Sequence, residues 1–515
     1  MKKFFSSSLI VSLFLFISKL LGFARDLLLA SFFGSGASLQ AFLIAFRFPE
    51  FMRKVTSSGI FTQIINPYIN TNKSSNLNKQ FIVTVLTFLA MLMLFITLIA
   101  MIFSGFWVDL YAQGFVDDES MLELVRSLFV IMIPYMLFNC VMGLISAVLN
   151  SYKRYLISSL LPIILNVVMI VGIVVSPKLN IAIYSVAYSV LVAGVLQLVI
   201  GGYSLIKLIG AFRVDKNILL LRNKDARIFL KKLPTAFLGT AILQINALVE
   251  TFFASFLISG SLAWLYYADR VNQFLYGVFG TAIATVMIPY LLECKLDEQA
   301  FIKTLKWIIR FTLVVTIPAI VGLFILAKPI VISLFFYGKF KIEDVNFTYL
   351  AMLGYLLSLF CFVIIRVIVS ALYAKSKSSV VFYISVVCLI TILVLDTLII
   401  QFFKNNTYGF IYLAVVSSGV SLINLLILSL VLCGFNLRSF ISIYLPVVTI
   451  IRIVISCVCM AMILNLFNLS DSYWIALSML DRLKHLTLIV FLGLVVYLLV
   501  MLVLGGLRSL KTTYL

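Results

Sequence analysis

Long apolar stretches recur from one end of this chain to the other, and they restrict it to a single environment. Of its 515 residues, 63% are hydrophobic and only 11% are charged, and the mean hydropathy is +1.18. Apolar runs of about 20 residues are long enough for a helix to cross the hydrocarbon core of a bilayer. Because every backbone polar group in that core must be hydrogen-bonded within the protein, such runs predict helices. The sequence therefore predicts an all-α polytopic membrane protein.

The runs predict about fourteen transmembrane helices, and the charge of the loops predicts their direction. Loops rich in Lys and Arg, such as residues 150–155 and 373–378, alternate with loops that hold fewer cations. By the positive-inside rule, the basic loops and both termini face the cytoplasm. The predicted spans are 8–32, 38–69, 80–107, 122–150, 157–176, 180–207, 230–258, 262–293, 303–335, 346–373, 380–402, 407–433, 440–467 and 484–507.

Composition argues against several other classes of protein. Lys and Arg outnumber Asp and Glu by 39 to 19. Most of these basic residues lie in short loops on one side of the membrane, as topology requires. The excess of positive charge therefore does not predict a nucleic-acid partner. The seven Cys residues form no C-x-x-C pair and His485 is the one histidine, which argues against a disulfide framework and a zinc site. The sequence contains no P-loop and no nucleophile–histidine pair. It is therefore predicted to be a transporter rather than an enzyme, without a cofactor.

The two halves of the chain resemble each other, which predicts an internal repeat. Residues 30–52 align with 254–275 across a single-residue gap, and the alignment pairs Arg47 with Arg270. Nearly the same offset recurs at a Pro-Tyr pair and at the basic loops. We therefore expect two six-helix lobes, related by a pseudo-twofold axis, around a central cavity. The predicted divisions are an N-terminal lobe at 1–207, a cytoplasmic linker at 208–229, a C-terminal lobe at 230–433 and two extra helices at 434–515.

Charged side chains stand inside the first two apolar helices, where a charge at the bilayer centre costs about 2.5–3.5 kcal/mol on insertion scales. Such residues normally face a wet cavity or a charged partner, although charges near helix ends can also reach the interface. Guanidinium groups bind phosphate through two parallel hydrogen bonds, so an arginine-rich cavity predicts an anionic cargo such as a pyrophosphate. The predicted substrate-binding residues are Lys19, Arg25, Asp26, Arg47, Glu50, Arg53, Lys54, Asp269 and Arg270.

Glycines interrupt the same helices. Gly22, Gly34 and Gly36 are predicted hinges, because breaks of this kind let membrane helices bend. Ordinary close packing of helices through small residues is the alternative explanation for each of them.

Two carboxylates stand apart in the second half of the chain. Glu250 and Asp396 lie within apolar runs, and with hydroxyls such as Ser417 or Ser418 they could bind a coupling Na⁺ or H⁺. The alternative is that they are separate residues at the membrane interface. The inside-negative membrane potential is expected to help reset a positively charged cavity, at about 2.3 kcal/mol per charge per 100 mV.

Several motifs resemble one family of bacterial membrane proteins. The motifs are LGFARD at 21–26, AFRFPEFMRKVTSSG at 45–59, WLYYADR at 264–270 and SLFFYGKF at 333–340. They are similar to the lipid II flippase family, MurJ or MviN, of the multidrug/oligosaccharidyl-lipid/polysaccharide exporter superfamily, and the similarity spans essentially the whole chain. The resemblance implies a protein of the bacterial cytoplasmic (inner) membrane. Its implied cargo is lipid II, an undecaprenyl-pyrophosphate-linked disaccharide-pentapeptide, moved from the cytoplasmic to the periplasmic leaflet.

The resemblance also implies roles for parts of the chain. The last two helices would form a groove for the lipid tail. Membrane lipids and the cell-wall synthesis machinery are candidate partners, and the oligomeric state stays open, a monomer included. The cationic cavity residues of the family correspond to Lys19, Arg25, Arg53 and Arg270, and its coupling-ion site corresponds to Glu250 and, less closely, to Asp396.

The sequence departs from the family pattern at three positions. Lys19 stands where Arg is usual, Gln40 where an acidic residue is common, and Ser58 where Glu is usual. Glu50 lies about two helical turns before Ser58 on a similar face. It is expected to supply the missing negative charge.

Other functions stay open at this stage. A flippase for another undecaprenyl-linked glycan would carry the same charges. A cation-coupled multidrug exporter of the same fold would favour acidic and aromatic cavity residues instead. A polytopic glycosyltransferase would need catalytic carboxylates in a large outer loop, and the outer loops here are short.

Overall fold

The protein is helical throughout the part that the computed structural model describes, and no strand occurs there, as the apolar runs predict. The described residues are 2–57, 59–69, 75–116, 118–179, 181–211, 224–242, 244–294, 296–436, 443, 446–467 and 469–506. Side chains are described for all of these except 2–10, 75–77, 224 and 278–288. Ser58 and most of the predicted linker 208–229 therefore lie outside the described residues.

The chain packs into two compact units, Met1–Ala263 and Trp264–Leu515. The helices up to the end of the first unit are α1 Lys2–Phe33, α2 Ala37–Ser57, α3 Ile60–Ile65, α4 Ser75–Ile102, α5 Ser104–Tyr111, α6 Glu119–Met132, α7 Pro134–Ser151, α8 Tyr155–Val175, α9 Ala182–Ile209, α10 Lys224–Ala241 and α11 Asn246–Ala254. Those that follow are α12 Ser261–Glu293, α13 Glu298–Phe335, α14 Ile342–Ala374, α15 Ser378–Phe403, α16 Gly409–Leu432, α17 Val447–Leu466, α18 Asp471–Ala476 and α19 Met479–Val503.

Ten segments of the described chain are long and apolar enough to cross a membrane, and the bent pair α10–α11, with an angle of 53°, would make an eleventh. The ten coincide with the third to sixth and the ninth to fourteenth predicted spans. At the remaining three predicted spans the structure has the long helices α1, α2 and α12. α2 carries four charged residues within 21, so composition alone does not mark it as a span. The polytopic all-α class is confirmed, and the count of fourteen stays a prediction.

Four hydrogen bonds attach α11 and the segment after it to the first unit. Their donors lie on α2, on α5 and in the turn after α5. Position 114, in the turn after α5, requires glycine because a Cβ at this position would lie 2.1 Å from the backbone of Ser255. This attachment accounts for the unit boundary at 263, well beyond the predicted start of the C-terminal lobe at 230. Compactness and internal repetition are separate properties, so the predicted lobe bounds stay a prediction. The bonds are Arg47 Nε to Thr251 Oγ1 at 2.6 Å, Tyr111 Oη to the Leu248 carbonyl at 2.9 Å, Gly114 N to Ser255 Oγ at 3.2 Å, and Gln40 Nε2 to Ser259 Oγ at 3.1 Å.

A buried arginine fastens the last helices of the second unit. Arg482 on α19 is 5% exposed, and it donates to the backbone carbonyls of Trp474, Ile475 and Phe336 at 2.8, 2.7 and 3.0 Å. Its guanidinium also lies over the rings of Phe336 and Tyr337. Each nitrogen of this buried cation has an acceptor, which is the condition for burying a charge without a large penalty. The contacts join α18 and α19 to the segment that follows α13.

Two turns in different halves of the chain have the same conformation in the same register. Lys153 and Ser376 follow the ends of α7 and α14, and both have a left-handed backbone, with φ of 60° and 58°. In each turn the next residue donates to a carbonyl five positions earlier: Arg154 to Leu149 at 2.8 Å, and Lys377 to Leu372 at 2.9 Å. This is the Schellman arrangement that closes a helix C-terminus. The two turns lie in the basic loops 150–155 and 373–378, which the repeat alignment pairs with each other. Their shared conformation supports the internal repeat.

Candidate functional site

Arg25 and Asp26 form a buried ion pair on α1, as their adjacency predicts. Arg25 Nη2 lies 2.7 Å from Asp26 Oδ1, and their side chains are 6% and 3% exposed. Arg25 Nη1 donates to Asn166 Oδ1 on α8 at 3.2 Å, and Asn166 Nδ2 donates to the Ser18 carbonyl at 2.9 Å. In this arrangement the positive charge of Arg25 is matched by one carboxylate and one amide, and it faces the α1–α8 contact.

Glu50 is the centre of a second cluster, on α2. Its carboxylate is 3% exposed, and three cations of the same helix approach it. Arg47 lies at 3.4 Å, Arg53 at 3.6 Å and Lys54 at 3.8 Å from its oxygens. These residues stand three or four positions away, the spacing that puts side chains on one helix face. One negative charge is thus shared by three positive ones, and the cluster keeps a net charge of about +2.

The turn between α1 and α2 contains two of the three predicted hinge glycines. Gly34 has a φ of 63°, a left-handed conformation that glycine adopts without steric cost, and its N–H donates to the Ala30 carbonyl at 2.8 Å. The Gly36 carbonyl accepts from the first turn of α2. Gly22 lies against the side chain of Asn166, where an added Cβ would be 3.4 Å from Nδ2. Gly22 thus lies at the contact between α1 and α8, and a hinge role for the three glycines stays a prediction.

In the second unit, Arg270 and Asp269 on α12 share one amide. Gln273 accepts from Arg270 Nη1 at 3.3 Å, and its own amide donates to Asp269. The guanidinium lies over the Tyr266 ring, 4.5 Å from its centroid, a distance at which a cation is attracted to the ring face. Lys19, the remaining predicted binding residue, has an exposed side chain on α1.

The two carboxylates predicted for ion coupling belong to different compact units. Glu250 on α11 is partly buried, and Asp396 on α15 is 2% exposed. The hydroxyl of Ser418 donates to the Gly354 carbonyl at 2.6 Å and accepts from Ser358 N at 3.2 Å, so it holds α16 against α14. Within the described residues, no group of three or more His, Cys, Asp or Glu is arranged to hold a metal ion. The coupling site stays a prediction.

The departures from the family pattern have partly visible consequences. Gln40 is 1% exposed and donates to the Ser35 carbonyl at 3.2 Å and to Ser259 Oγ at 3.1 Å. An ionised carboxylate has no proton with which to make the first of these bonds. Ser58 lies outside the described residues, so the exchange of roles between Ser58 and Glu50 stays a prediction.

Sequence reasoning missed uncharged polar residues that connect helices near these charges. Asn166, Thr251 and Tyr111 each bridge two helices, and none was a candidate. Asn166 could have been found by the criterion used for the charges, since it is a single amide in the apolar run of α8. The partner of Thr251 could not have been found, because Arg47 is 204 residues away in the sequence.

Comparison with known proteins gives one consistent result. The family model described as "Lipid II flippase MurJ" matches residues 29–504. A relative from Vibrio cholerae named "Probable lipid II flippase MurJ" is 32% identical over 83% of this chain and 82% of its own length. One from Buchnera aphidicola subsp. Acyrthosiphon pisum, with the same name, is 33% identical over 77% and 78%.

Solved structures agree with the sequence relatives. A structure titled "Lipid II flippase MurJ, inward closed conformation" matches with a TM-score of 0.80 and 25% identity, over 98% of this chain and 100% of that one. An inward-facing transporter of the multidrug resistance MATE family matches with a TM-score of 0.65 and 13% identity, over 81% and 95%. The second likeness concerns the fold alone.

Thr251 offers a test of the contact between α2 and α11. Thr251→Val keeps the shape of the side chain but removes the acceptor of Arg47 Nε, and a hydrogen bond to a charged group contributes about 1.5–3 kcal/mol. We expect the apparent unfolding temperature of the purified protein to fall and hydrogen exchange over residues 246–254 to accelerate.

Thr240→Val is the matched control for this change. Thr240 and Thr251 both donate to the carbonyl four residues earlier in their own helices, at 3.1 and 2.8 Å, but only Thr251 is bonded to Arg47. Equal effects of the two substitutions would contradict a role for Thr251 as the acceptor of Arg47.

Proposed function

This chain belongs to the lipid II flippase MurJ family, and on that premise we propose that it moves lipid II from the cytoplasmic to the periplasmic leaflet by alternating access. It is a multi-pass membrane protein. The observation that supports the cargo, beside family membership, is the excess positive charge of the α2 cluster. Three cations share the Glu50 carboxylate within a largely buried helix.

A cluster of three cations around one carboxylate favours an anion. The pyrophosphate of lipid II is such an anion, and the guanidinium groups of Arg47 and Arg53 have the planar geometry that matches phosphate oxygens. A cationic drug would meet repulsion at the same cluster, which disfavours the multidrug-exporter alternative. In the first unit, Arg25 is already matched by Asp26, so the α2 cluster is the better place for the cargo's charge.

The proposal extends to the setting of the protein. It places the chain in the bacterial cytoplasmic membrane with both termini in the cytoplasm, on the grounds of loop charge. The polyprenyl tail would stay in the lipid while the pyrophosphate is bound. The last two predicted spans, 440–467 and 484–507, would guide this tail. Translocation needs no covalent chemistry, so the protein would act as a transporter and not as an enzyme.

Complementation tests the cargo. We expect the chain to restore growth and cell shape in a bacterium depleted of its own lipid II flippase, and Arg270→Ala to fail because it removes the guanidinium over Tyr266. Arg126→Ala is the control, since Arg126 is 47% exposed and pairs with an exposed Asp109. Failure of a well-expressed, correctly inserted wild type would favour another glycan-lipid or a drug as cargo. Rescue by Arg270→Ala would remove Arg270 from the mechanism.

Glu50→Gln tests the α2 cluster. The substitution keeps the size of the side chain and leaves three cations around a neutral amide, so their mutual repulsion should displace them from the binding geometry. We expect the initial rate of lipid II transfer in vesicles to fall roughly tenfold or more, which corresponds to about 1.4 kcal/mol.

The control for this change is Glu298→Gln. Glu298 also pairs with a lysine, but its side chain is 65% exposed, and exposed pairs contribute little. Transfer by Glu50→Gln at a near-normal rate per inserted molecule would show that the buried carboxylate is dispensable.

Coupling to Na⁺ or H⁺ and to the membrane potential belongs to the same proposal. A net positive cluster that crosses part of the field would be returned by the inside-negative potential, with about 2.3 kcal/mol per charge per 100 mV available. We expect transfer in energised vesicles to slow when the potential and both ion gradients are collapsed. An unchanged rate under those conditions would rule out coupling.

A further inference from the structure

A proline interrupts the backbone hydrogen bonding of α13. Pro318 lies inside this helix of 38 residues, and proline has no N–H to donate to the carbonyl four positions earlier. That carbonyl belongs to Val314, which is 5% exposed. A buried carbonyl without a donor is costly, above all in a membrane, where the protein itself must supply the partner. The break therefore leaves the Val314 carbonyl without its regular helical donor.

Another helix supplies the donor. The hydroxyl of Tyr497 on α19 donates to the Val314 carbonyl at 2.7 Å, and Tyr497 is 2% exposed. In membrane proteins, neighbouring helices often satisfy the backbone groups that a proline frees. Tyr497 thereby compensates for the N–H that Pro318 lacks.

Tyr497 belongs to a hairpin, here called the C-terminal hairpin, which consists of α17, α18 and α19 and packs against α13. The helices α17 and α19 approach closely, since a Cβ at Gly493 would lie 2.9 Å from the Leu464 side chain. The buried residues of α19 follow a spacing of seven and then four, which places them on one helix face. They are Arg482, Ile489, Gly493, Tyr497 and Met501. α19 is thus attached through one narrow face.

The hairpin is fixed to α13 at its α18 end. Lys328 of α13 forms an ion pair with Asp471 of α18, and Arg482 donates to the Phe336 carbonyl at 3.0 Å. Tyr497 stands 15 residues after Arg482, which is about 22 Å further along α19 at a rise of 1.5 Å per residue. The bond of Tyr497 therefore sets how α19 lies against α13 far from the fixed end.

We propose that Tyr497 is a positioning residue, which couples the bend of α13 at Pro318 to the placement of the C-terminal hairpin. Helices bend sharply at proline, and Tyr497 is bonded to the carbonyl that this proline leaves without a donor. A change in the bend therefore moves the attachment point of α19. In one respect the inference rests on the proposed function: if the last two predicted spans guide the polyprenyl tail, Tyr497 sets the position of that guide.

A double-mutant cycle between Tyr497 and Pro318 tests the coupling. Tyr497→Phe removes only the hydroxyl, and we expect the open state of the hairpin to become roughly tenfold more populated, which corresponds to about 1.4 kcal/mol. Pro318→Ala gives residue 318 an N–H that can donate to the Val314 carbonyl. In that background Tyr497→Phe should have almost no effect, because the carbonyl no longer depends on the tyrosine.

A native cysteine reports the opening. Cys457 lies on the buried face of α17 and is 6% exposed, so its reaction with N-ethylmaleimide requires a local opening. We expect its labelling in the purified full-length protein, followed by mass spectrometry, to be roughly tenfold faster in Tyr497→Phe. Cys388 on α15 is the internal control, since it is also 6% exposed but lies outside the hairpin. Its labelling rate should stay the same.

Two further variants serve as matched controls. Pro329 also interrupts α13, but the carbonyl four positions before it belongs to Ile325, which is not the acceptor of Tyr497. Tyr497→Phe should therefore keep its full effect in the Pro329→Ala background. Tyr383→Phe removes a hydroxyl from a side chain that is 67% exposed, and it should leave the labelling of Cys457 unchanged.

Two results would overturn the coupling. One is a full effect of Tyr497→Phe in the Pro318→Ala background, which would make the role of the tyrosine independent of the proline. The other is unchanged labelling of Cys457 in Tyr497→Phe alone. This second result can be obtained whether or not Pro318→Ala folds.

Transfer in vesicles tests the link to the lipid tail. Tyr497→Phe should slow the transfer of lipid II several-fold but should not slow that of an analogue with the same headgroup and a short prenyl chain. Equal slowing of both lipids would overturn this link. If wild type transfers neither lipid, the proposed function fails, and the labelling of Cys457 still decides whether Tyr497 and Pro318 are coupled.

Discussion

The cost of burying charge in apolar helices is the constraint on which the arrangement of the first unit depends. α1 and α2 bring nine charged residues into a largely apolar sequence, and an unpaired charge in such surroundings is expensive. Two of the side chains that meet this requirement come from distant segments: Asn166 on α8 accepts from Arg25, and Thr251 on α11 accepts from Arg47. Arg47 thereby ties α11 to α2. Hydrogen bonds to these charged groups therefore position the helices of the unit, in addition to apolar contacts.

Compensation is uneven, and the unevenness has a functional meaning. Arg25 has its own carboxylate at 2.7 Å and an amide behind it, whereas Glu50 faces three cations at 3.4–3.8 Å. Within the α2 cluster itself, positive charges outnumber negative ones by three to one. This excess is consistent with a site whose missing negative charge arrives with the cargo.

Local features of this molecule could be predicted from sequence, and long-range ones could not. The contacts of Glu50 with Arg47, Arg53 and Lys54 follow from a spacing of three and four residues on a helix. The matching turns at Lys153 and Ser376 follow from the repeat register. By contrast, the bonds from Arg47 to Thr251 and from Arg482 to Phe336 join residues 204 and 146 positions apart. An arginine can donate to many different acceptors, and only the folded structure determines which acceptor lies within reach. The attachment of α11 to the rest of the first unit also depends on long-range contacts. It explains why the compact unit ends at 263, whereas the C-terminal lobe was predicted to begin at 230.

Arg482 and Arg53 differ in how completely they are satisfied. Arg482 donates from all three nitrogens to backbone carbonyls. Its role is to hold α18 and α19 in place. Arg53 instead combines one long ion pair with a buried Nε that has no acceptor in the described structure. The two residues also differ in burial, since Arg482 is 5% exposed and the side chain of Arg53 is 27% exposed. Arg53 is therefore the more accessible and the less fully bonded of the two, as the proposed role of the α2 cluster requires.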